Sequence, residues 1–159
     1  MLIRCAVDAD LPGIRRLLGQ VLAVHAEGRP DLFRAGTRKY TDDEILGLIA
    51  DTERPCFVAL DEDAAPGALL GYALCAVRDR PASHSMQPIR TLYIDDFCVD
   101  EDSRGQHVGT ALYEYVLDWA RDQGFYNITL NVWECNPSAR RFYEAMGMQV
   151  QKTEMEAIL

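Results

Sequence analysis

The chain predicts an α/β fold in one domain, built on a mixed sheet. Three observations carry this. Apolar runs of strand length alternate with stretches of helical periodicity, giving the order β-α-α-β-β-β-α-β-α-β. The strongest helical stretch lies between two apolar strands, which requires a crossover and a locally parallel strand pair, right-handed by the usual rule. No repeat, low-complexity tract or linker divides the 159 residues, and that length is enough to bury a real core.

Residues 2–7 form the first predicted strand. Asp10 is a candidate cap for a helix with Pro12 just inside its start, where a missing N–H does least harm. Leu11, Ile14, Leu17, Leu18, Val21, Leu22 and His25 follow one helical face, which should end near Gly28. Thr41 with Glu44 three residues on is a capping-box signature for a second helix. Residues 56–60 read as a short strand, 61–67 with Pro66-Gly67 as a turn, and 69–77 as the next strand. Pro81, Ser83, His84, Ser85 and Pro88 mark 79–90 as an exposed loop. Residues 91–99 form another strand, and 105–123 the best helix, with Gly124 as its stop. A strand over 127–133 and a short helix over 137–145 follow, with Gly147 as that helix's stop. Residues 148–158 are expected to return as a last strand or pair.

Composition narrows the function classes. With 48% hydrophobic and 26% charged residues the chain has ordinary globular chemistry. No apolar run reaches the ~20 residues that span a bilayer, and the first residues lack a basic start followed by a long apolar core. The expected location is cytoplasmic. Five cysteines without a C-x-x-C pair argue for free thiols rather than a disulfide framework, and the three histidines do not fall at zinc-ligand spacing with them, so no metal is expected. A net charge of −9 disfavours nonspecific nucleic-acid binding. That charge suits either a cationic substrate or plain solubility.

The most informative stretch runs from Asp96 to Thr110. An apolar strand stops at acidic residues, passes Arg104 and Gly105, and opens a helix. A helix N-terminus offers unpaired N–H groups and partial positive charge, which suit a phosphate. A P-loop would need Gly-Lys-Ser/Thr where the chain has Val108-Gly109-Thr110, and a dinucleotide fingerprint would follow the first strand, so neither fits. A later stretch, Asn136-Pro-Ser-Ala-Arg-Arg-Phe-Tyr143, adds an amide, a hydroxyl and a phenol near one helix start.

These two motifs, in this order with a helix and a strand between them, resemble those of the Gcn5-related N-acetyltransferase (GNAT) superfamily. The family's cofactor motif, Gln/Arg-x-x-Gly-x-Gly/Ala, stands here as Arg104-Gly-Gln-His-Val-Gly109, with His107 in place of the middle glycine. Its Asn-x-x-Ala-x-x-Phe/Leu-Tyr-x-x-x-Gly pattern begins at Asn136. The string Leu92-Tyr-Ile-Asp-Asp-Phe-Cys-Val99 is similar to the polyamine-acetylating branch. The resemblance implies a GNAT-like fold over residues 1–159: a mostly antiparallel twisted sheet with a central parallel pair and helices on both faces. It implies acetyl-CoA as cosubstrate and a primary amine as acceptor.

The site residues follow from the same resemblance. The pyrophosphate would lie over Arg104, Gly105, Gln106, His107, Val108, Gly109 and Thr110. His107 either contacts a phosphate or is a tolerated substitution whose backbone is already helical. The pantetheine arm would run along Phe97, Cys98 and Val99, with the thioester oxygen on the N–H of Cys98 or Val99, a fixed dipole aimed at developing charge. Tyr143 matches the general acid for the leaving thiolate, a phenol with an ordinary pKa of ~10 that is protonated at neutral pH. Phe142 beside it leaves open which of the two turns inward. Asn136 and Ser138 either cap the short helix or touch the cofactor. Asp95 matches the branch's base or substrate-binding acid, with Asp96 and ordered water as alternatives. Strict alternation sets Tyr93, Asp95, Phe97 and Val99 on one face of the strand and Ile94, Asp96 and Cys98 on the other.

The acceptor pocket is expected from the first helices and the 79–90 loop, near His25, Arg29 and Tyr40, with Glu27, Asp31 and Asp96 as candidates for pairing with an ammonium. Acceptors left open are a small molecule (polyamine-like, amino sugar or amino acid) and a protein N-terminus or lysine. A non-catalytic acyl-CoA-binding module and an interaction domain without coenzyme A are the competing classes. Members of the superfamily often form dimers through C-terminal strands, for which residues 148–159 are available, so a homodimer is a further expectation.

Overall fold

The computed structural model describes residues 1–62 and 68–159. The turn expected at Pro66-Gly67 lies outside them. Five strands form one sheet in the order β1-β2-β3-β4-β5: β1 Leu2–Cys5, β2 Cys56–Leu60, β3 Leu69–Arg80, β4 Ile89–Val99 and β5 Asn127–Leu130. Neighbours β1 to β4 pair antiparallel, and β4 pairs parallel with β5 after the crossover through α3, Val108–Asp122. The remaining helices are α1 Leu11–Gly28, α2 Asp42–Ala50 and α4 Pro137–Ala145.

The sheet separates two cores. On one face Ile14, Leu17 and Leu18 of α1 and Ile45 of α2 pack on Val58, Tyr72, Leu74 and Cys98. On the other, Leu112, Tyr113 and Val116 of α3 pack on Phe57, Ala73, Cys75, Leu92 and Ile94. Phe142 and Tyr143 of α4 lean on that second core. No described helix is long and apolar enough to cross a membrane.

Several local expectations are met by local chemistry. Thr41 Oγ1 accepts from the Glu44 N–H at 3.2 Å, and Glu44 Oε2 accepts from the Thr41 N–H at 2.7 Å, closing the capping box. Asp10, by contrast, makes no side-chain cap. Its carboxylate, almost fully buried, takes a two-pronged bond from Arg4 of β1 (2.6 and 3.0 Å) and the Val7 N–H at 2.8 Å.

Five boundaries differ from expectation, the first being that of β1, which ends at Cys5 rather than at residue 7. Strands β3 and β4 run on into the expected loop, reaching Arg80 and starting at Ile89, because cross-strand pairing continues there with polar residues. Helix α3 starts at Val108, and β5 stops at Leu130. Residues 149–159 hold no strand, and Val150, Met155, Ile158 and Leu159 are exposed. The segment is tied back through Arg29, which binds Glu156 at 2.9 Å.

Candidate active site

The site grows from the place where β4 and β5 part. They pair from Thr91–Asn127 to Ile94–Leu130, and β4 then continues to Val99 without β5 beside it. The Asp100 N–H donates to the Leu70 carbonyl across β3 at 2.8 Å. Successive N–H groups of a strand point to opposite sides, so Cys98 also faces β3, while Val99 and Phe97 aim their N–H groups into the gap. Of the two donors left open by sequence, register favours Val99. A cleft of about 1660 Å³ opens here, lined among others by Asp95, Asp96, Lys39, His25, Trp133 and Tyr143.

Helix α4 brings Tyr143 to this cleft. Asn136 caps it, its side-chain oxygen accepting from the Ala139 N–H at 3.1 Å, and Pro137 follows at the first turn. Exposed Ser138 makes no such bond. Phe142 turns toward Gly109, where a Cβ would come within 3.4 Å of its ring. Tyr143 lines the cleft instead, with ring centroids of Tyr113 and Phe97 at 6.0 and 6.1 Å. Burial pushes its phenol above the ordinary range, with Tyr113 adding to the shift, so the group is protonated at neutral pH.

Asp95 and Asp96 stand on the α1 side of the sheet because β4 is irregular between them. Leu74 pairs with Asp96 and Cys75 with Ile94, leaving Asp95 as the extra residue of a bulge. The bulge corrects strict alternation. Phe97 and Ile94 share the α3-side core and Val99 meets Gly109 of α3, whereas Tyr93, Asp96 and Cys98 face the α1 side. Both carboxylates are already partnered. Lys39 donates to buried Asp96 and lies 3.7 Å from Asp95. Asp95 also faces Arg54 at 3.4 Å and accepts from the Tyr40 hydroxyl at 3.3 Å. Burial raises the Asp96 carboxyl above the usual carboxylate range, with Lys39 pulling it part of the way back. For Lys39 burial acts downward, but the two aspartates outweigh it and the ammonium is held above its ordinary value.

His25 completes the wall, its ring 5.1 Å from Phe33 and 6.4 Å from Trp133. Burial and the Lys39 charge lower its pKa, which favours the neutral imidazole. The other two acceptor candidates lie elsewhere. Glu27 borders a separate hollow of about 720 Å³ with Arg15 and Arg16. Exposed Asp31 binds Arg29 at 2.8 Å outside the cleft lining. Sequence reasoning missed Lys39, Arg54, Phe33 and Trp133. One signal was present: Lys39 is one of only two lysines among 16 basic residues.

The loop before α3 has the shape of an anion cradle. Gly105 has φ +77° and His107 φ +61°, ψ 10°, so His107 is left-handed rather than already helical. That explains why glycine suits this position. Among the described residues none of the backbone N–H groups from Gly105 to Thr110 has an acceptor, and Arg104 to His107 are exposed. Six free amides around a helix start fit a pyrophosphate. The Gln106 amide is used locally, donating to the Asp102 carbonyl at 3.1 Å. Gly109 serves packing: Val99 and Phe142 fill the space its Cβ would take.

Residues 22–148 match the family model described as Acetyltransferase (GNAT) family. Thialysine N-epsilon-acetyltransferase of Bos taurus is 29% identical over 106 residues, covering 67% of this chain and 52% of that protein. Glucosamine 6-phosphate N-acetyltransferase of Arabidopsis thaliana is 30% identical over 63 residues, 40% of each. The matches thus span about half the length, or less, of these curated relatives. Among solved structures, a tetramutant of the BH1408 protein of Bacillus halodurans is 30% identical with a TM-score of 0.94 over all of both chains. The aminoglycoside N-acetyltransferase AAC(6')-Iy, solved with CoA, shares the fold at 18% identity and a TM-score of 0.68, over 99% of this chain and 98% of that one.

Proposed function

Because the chain belongs to the acetyltransferase (GNAT) family, we propose that it is a single N-acetyltransferase domain moving acetyl from acetyl-CoA to a small primary amine. The observation that carries this reading is that the parted edge of β4, the start of α3 and helix α4 come together at Gly109, where Val99 and Phe142 pack, with Tyr143 next to Phe142 and lining the cleft.

Each requirement of the reaction has a holder. The amides from Gly105 to Thr110, with Arg104, bind the pyrophosphate. The N–H groups of Phe97 and Val99 hold the arm like an added strand, and Val99 stabilises charge on the carbonyl oxygen. Acetyl-CoA, when bound, supplies the activated acyl group. The acceptor nitrogen bonds to the carbonyl carbon, the C–S bond breaks, and Tyr143 gives its proton to the departing sulfur. The amine must lose a proton first. Asp95 is already engaged by Lys39, Arg54 and the Tyr40 hydroxyl. This supports water in the open cleft as the proton's first stop, with Asp95 and Asp96 anchoring the Lys39 segment.

Thialysine and glucosamine 6-phosphate, named in the relatives, are small primary amines, which favours a small acceptor over a protein. Free cysteines fit a cytoplasmic setting. The open edge of β5 and residues 149–159 fit a homodimer made by pairing with a second copy.

The test is thiol release from acetyl-CoA across amines, amino sugars and peptides, with Tyr143→Phe beside the parent. The variant should lose about 10²-fold or more in turnover while keeping the thermal shift on acetyl-CoA. Unchanged turnover would remove Tyr143 from the mechanism. A parent that binds acetyl-CoA but turns over no amine would be a binding module.

A further inference from the structure

Acetyl transfer accounts for the acceptor's amine; the sheet supplies a place for its other end. Register sets Arg78 opposite Thr91 and Arg80 opposite Ile89. Residues two apart on a strand share a face, and Ala76 opposite Tyr93 fixes which face it is. Since Leu92 and Ile94 turn into the α3-side core, Tyr93 and the two arginines share the side that carries Asp96. Both arginines line the cleft. Arg78 sits over the buried Tyr93 ring, its Cζ 3.2 Å from the centroid. The contact holds the guanidinium at the ring face, and no described residue takes up its N–H groups.

Among the described residues neither Arg78 nor Arg80 has an acidic partner. Nearby acids are committed elsewhere. Asp79 faces Arg90 at 3.6 Å, Glu134 and Glu144 both bind Arg140, and Glu156 binds Arg29. Glu154 is the cleft carboxylate without an ion pair, and Lys152 beside it is a cation without one. In a chain of net charge −9, two arginines without counter-ions at a cleft are a local positive field. The Asp95–Asp96 cluster is the reverse case. Lys39 and Arg54 neutralise it, so it offers no spare charge to a second ammonium.

We propose that Arg78 and Arg80 form an anion subsite, and that the acceptor is a primary amine carrying a carboxylate or a phosphate rather than a polyamine. The proposal rests on the acetyl-transfer reading.

The experiment is steady-state kinetics on matched acceptors: lysine against cadaverine for a carboxylate, glucosamine 6-phosphate against glucosamine for a phosphate. At least one anion-bearing member should exceed its partner about 10- to 100-fold in kcat/KM, and the pair that responds identifies the anion. Arg78→Gln and Arg80→Gln should raise KM for that acceptor by a similar factor. Their kcat, their KM for acetyl-CoA and their kinetics with the anion-free partner should stay unchanged, and Arg78→Lys should recover part of the loss. Cadaverine and glucosamine matching their partners would overturn the anion subsite while leaving acetyl transfer standing. So would an equal loss on both members of a pair in Arg78→Gln. Failure of the parent on every amine would overturn both.

Discussion

Replacing Lys39 by methionine removes the cation that faces Asp96 and leaves the chain otherwise intact. The Asp96 side chain is 5% exposed and that of Lys39 38%. Breaking a fully buried pair by removing one partner costs about 3–5 kcal/mol. Here the ammonium keeps more than a third of its exposure, so water takes over part of its role, and about 2–3 kcal/mol is expected. That is a large share of the 5–15 kcal/mol or so that holds a typical domain together. The loss should depend on pH with a definite sign. In the parent, burial raises the Asp96 carboxyl and Lys39 lowers it. Without Lys39 the burial and the Asp95 charge remain, and both raise it. A carboxyl with a raised folded pKa binds its proton more tightly when folded. Stability is therefore greatest below its unfolded value and falls as pH rises through the folded one. Urea unfolding at about pH 5 and about pH 8 should show the larger deficit at the higher pH. Adding Asp96→Asn should recover most of it, since no buried charge is then left alone. A variant within about 0.5 kcal/mol of the parent at about pH 8, or an equal deficit at both pH values, would refute this account of the cluster.

Other outcomes test the remaining features. His107→Gly should stabilise by about 0.5–1 kcal/mol, the 1–2 kcal/mol or so of left-handed strain less the entropy glycine adds to the unfolded chain; urea melts that show a loss would contradict the φ of +61°. Gly71→Ala sets a Cβ 2.8 Å from the Cys98 carbonyl oxygen, and overpacking of about 1–3 kcal/mol should lower the melting temperature. Burial pushes the Cys56 and Cys98 thiols up to about 12 and Cys75 higher still. A chromogenic disulfide at neutral pH should therefore titrate Cys5 and Cys135 quickly in the native protein and all five thiols after denaturation. Rapid modification of Cys75 in the folded state would show that the β3 core opens.

Local signals were legible wherever the chemistry was local. The Thr41–Glu44 box, the Asn136 cap and the stops at Gly124 and Gly147 act over a few residues, and each was readable in order. Asp10 misled because its carboxylate is claimed by Arg4 on a strand, a partner that helix propensity does not contain. The start of α3 misled because Gly105 and His107 share a left-handed turn that hydrophobic periodicity does not register. Residues 148–158 were expected as a strand but have no pairing partner among the described residues, and a strand needs one.

By itself the sequence determined the order of elements as far as α4, the two cofactor-type motifs and the helix that must cross between strands, because caps, glycines and apolar periods are carried by neighbours. Only the tertiary structure decided the acceptor side. The bulge at Asp95 put both aspartates on the α1 face, Lys39 and Arg54 closed on them from distant segments, and the long β3–β4 hairpin carried Arg78 and Arg80 to the cleft. Such positions depend on register and on charges brought together by folding, and a one-residue bulge is enough to exchange the faces of a strand.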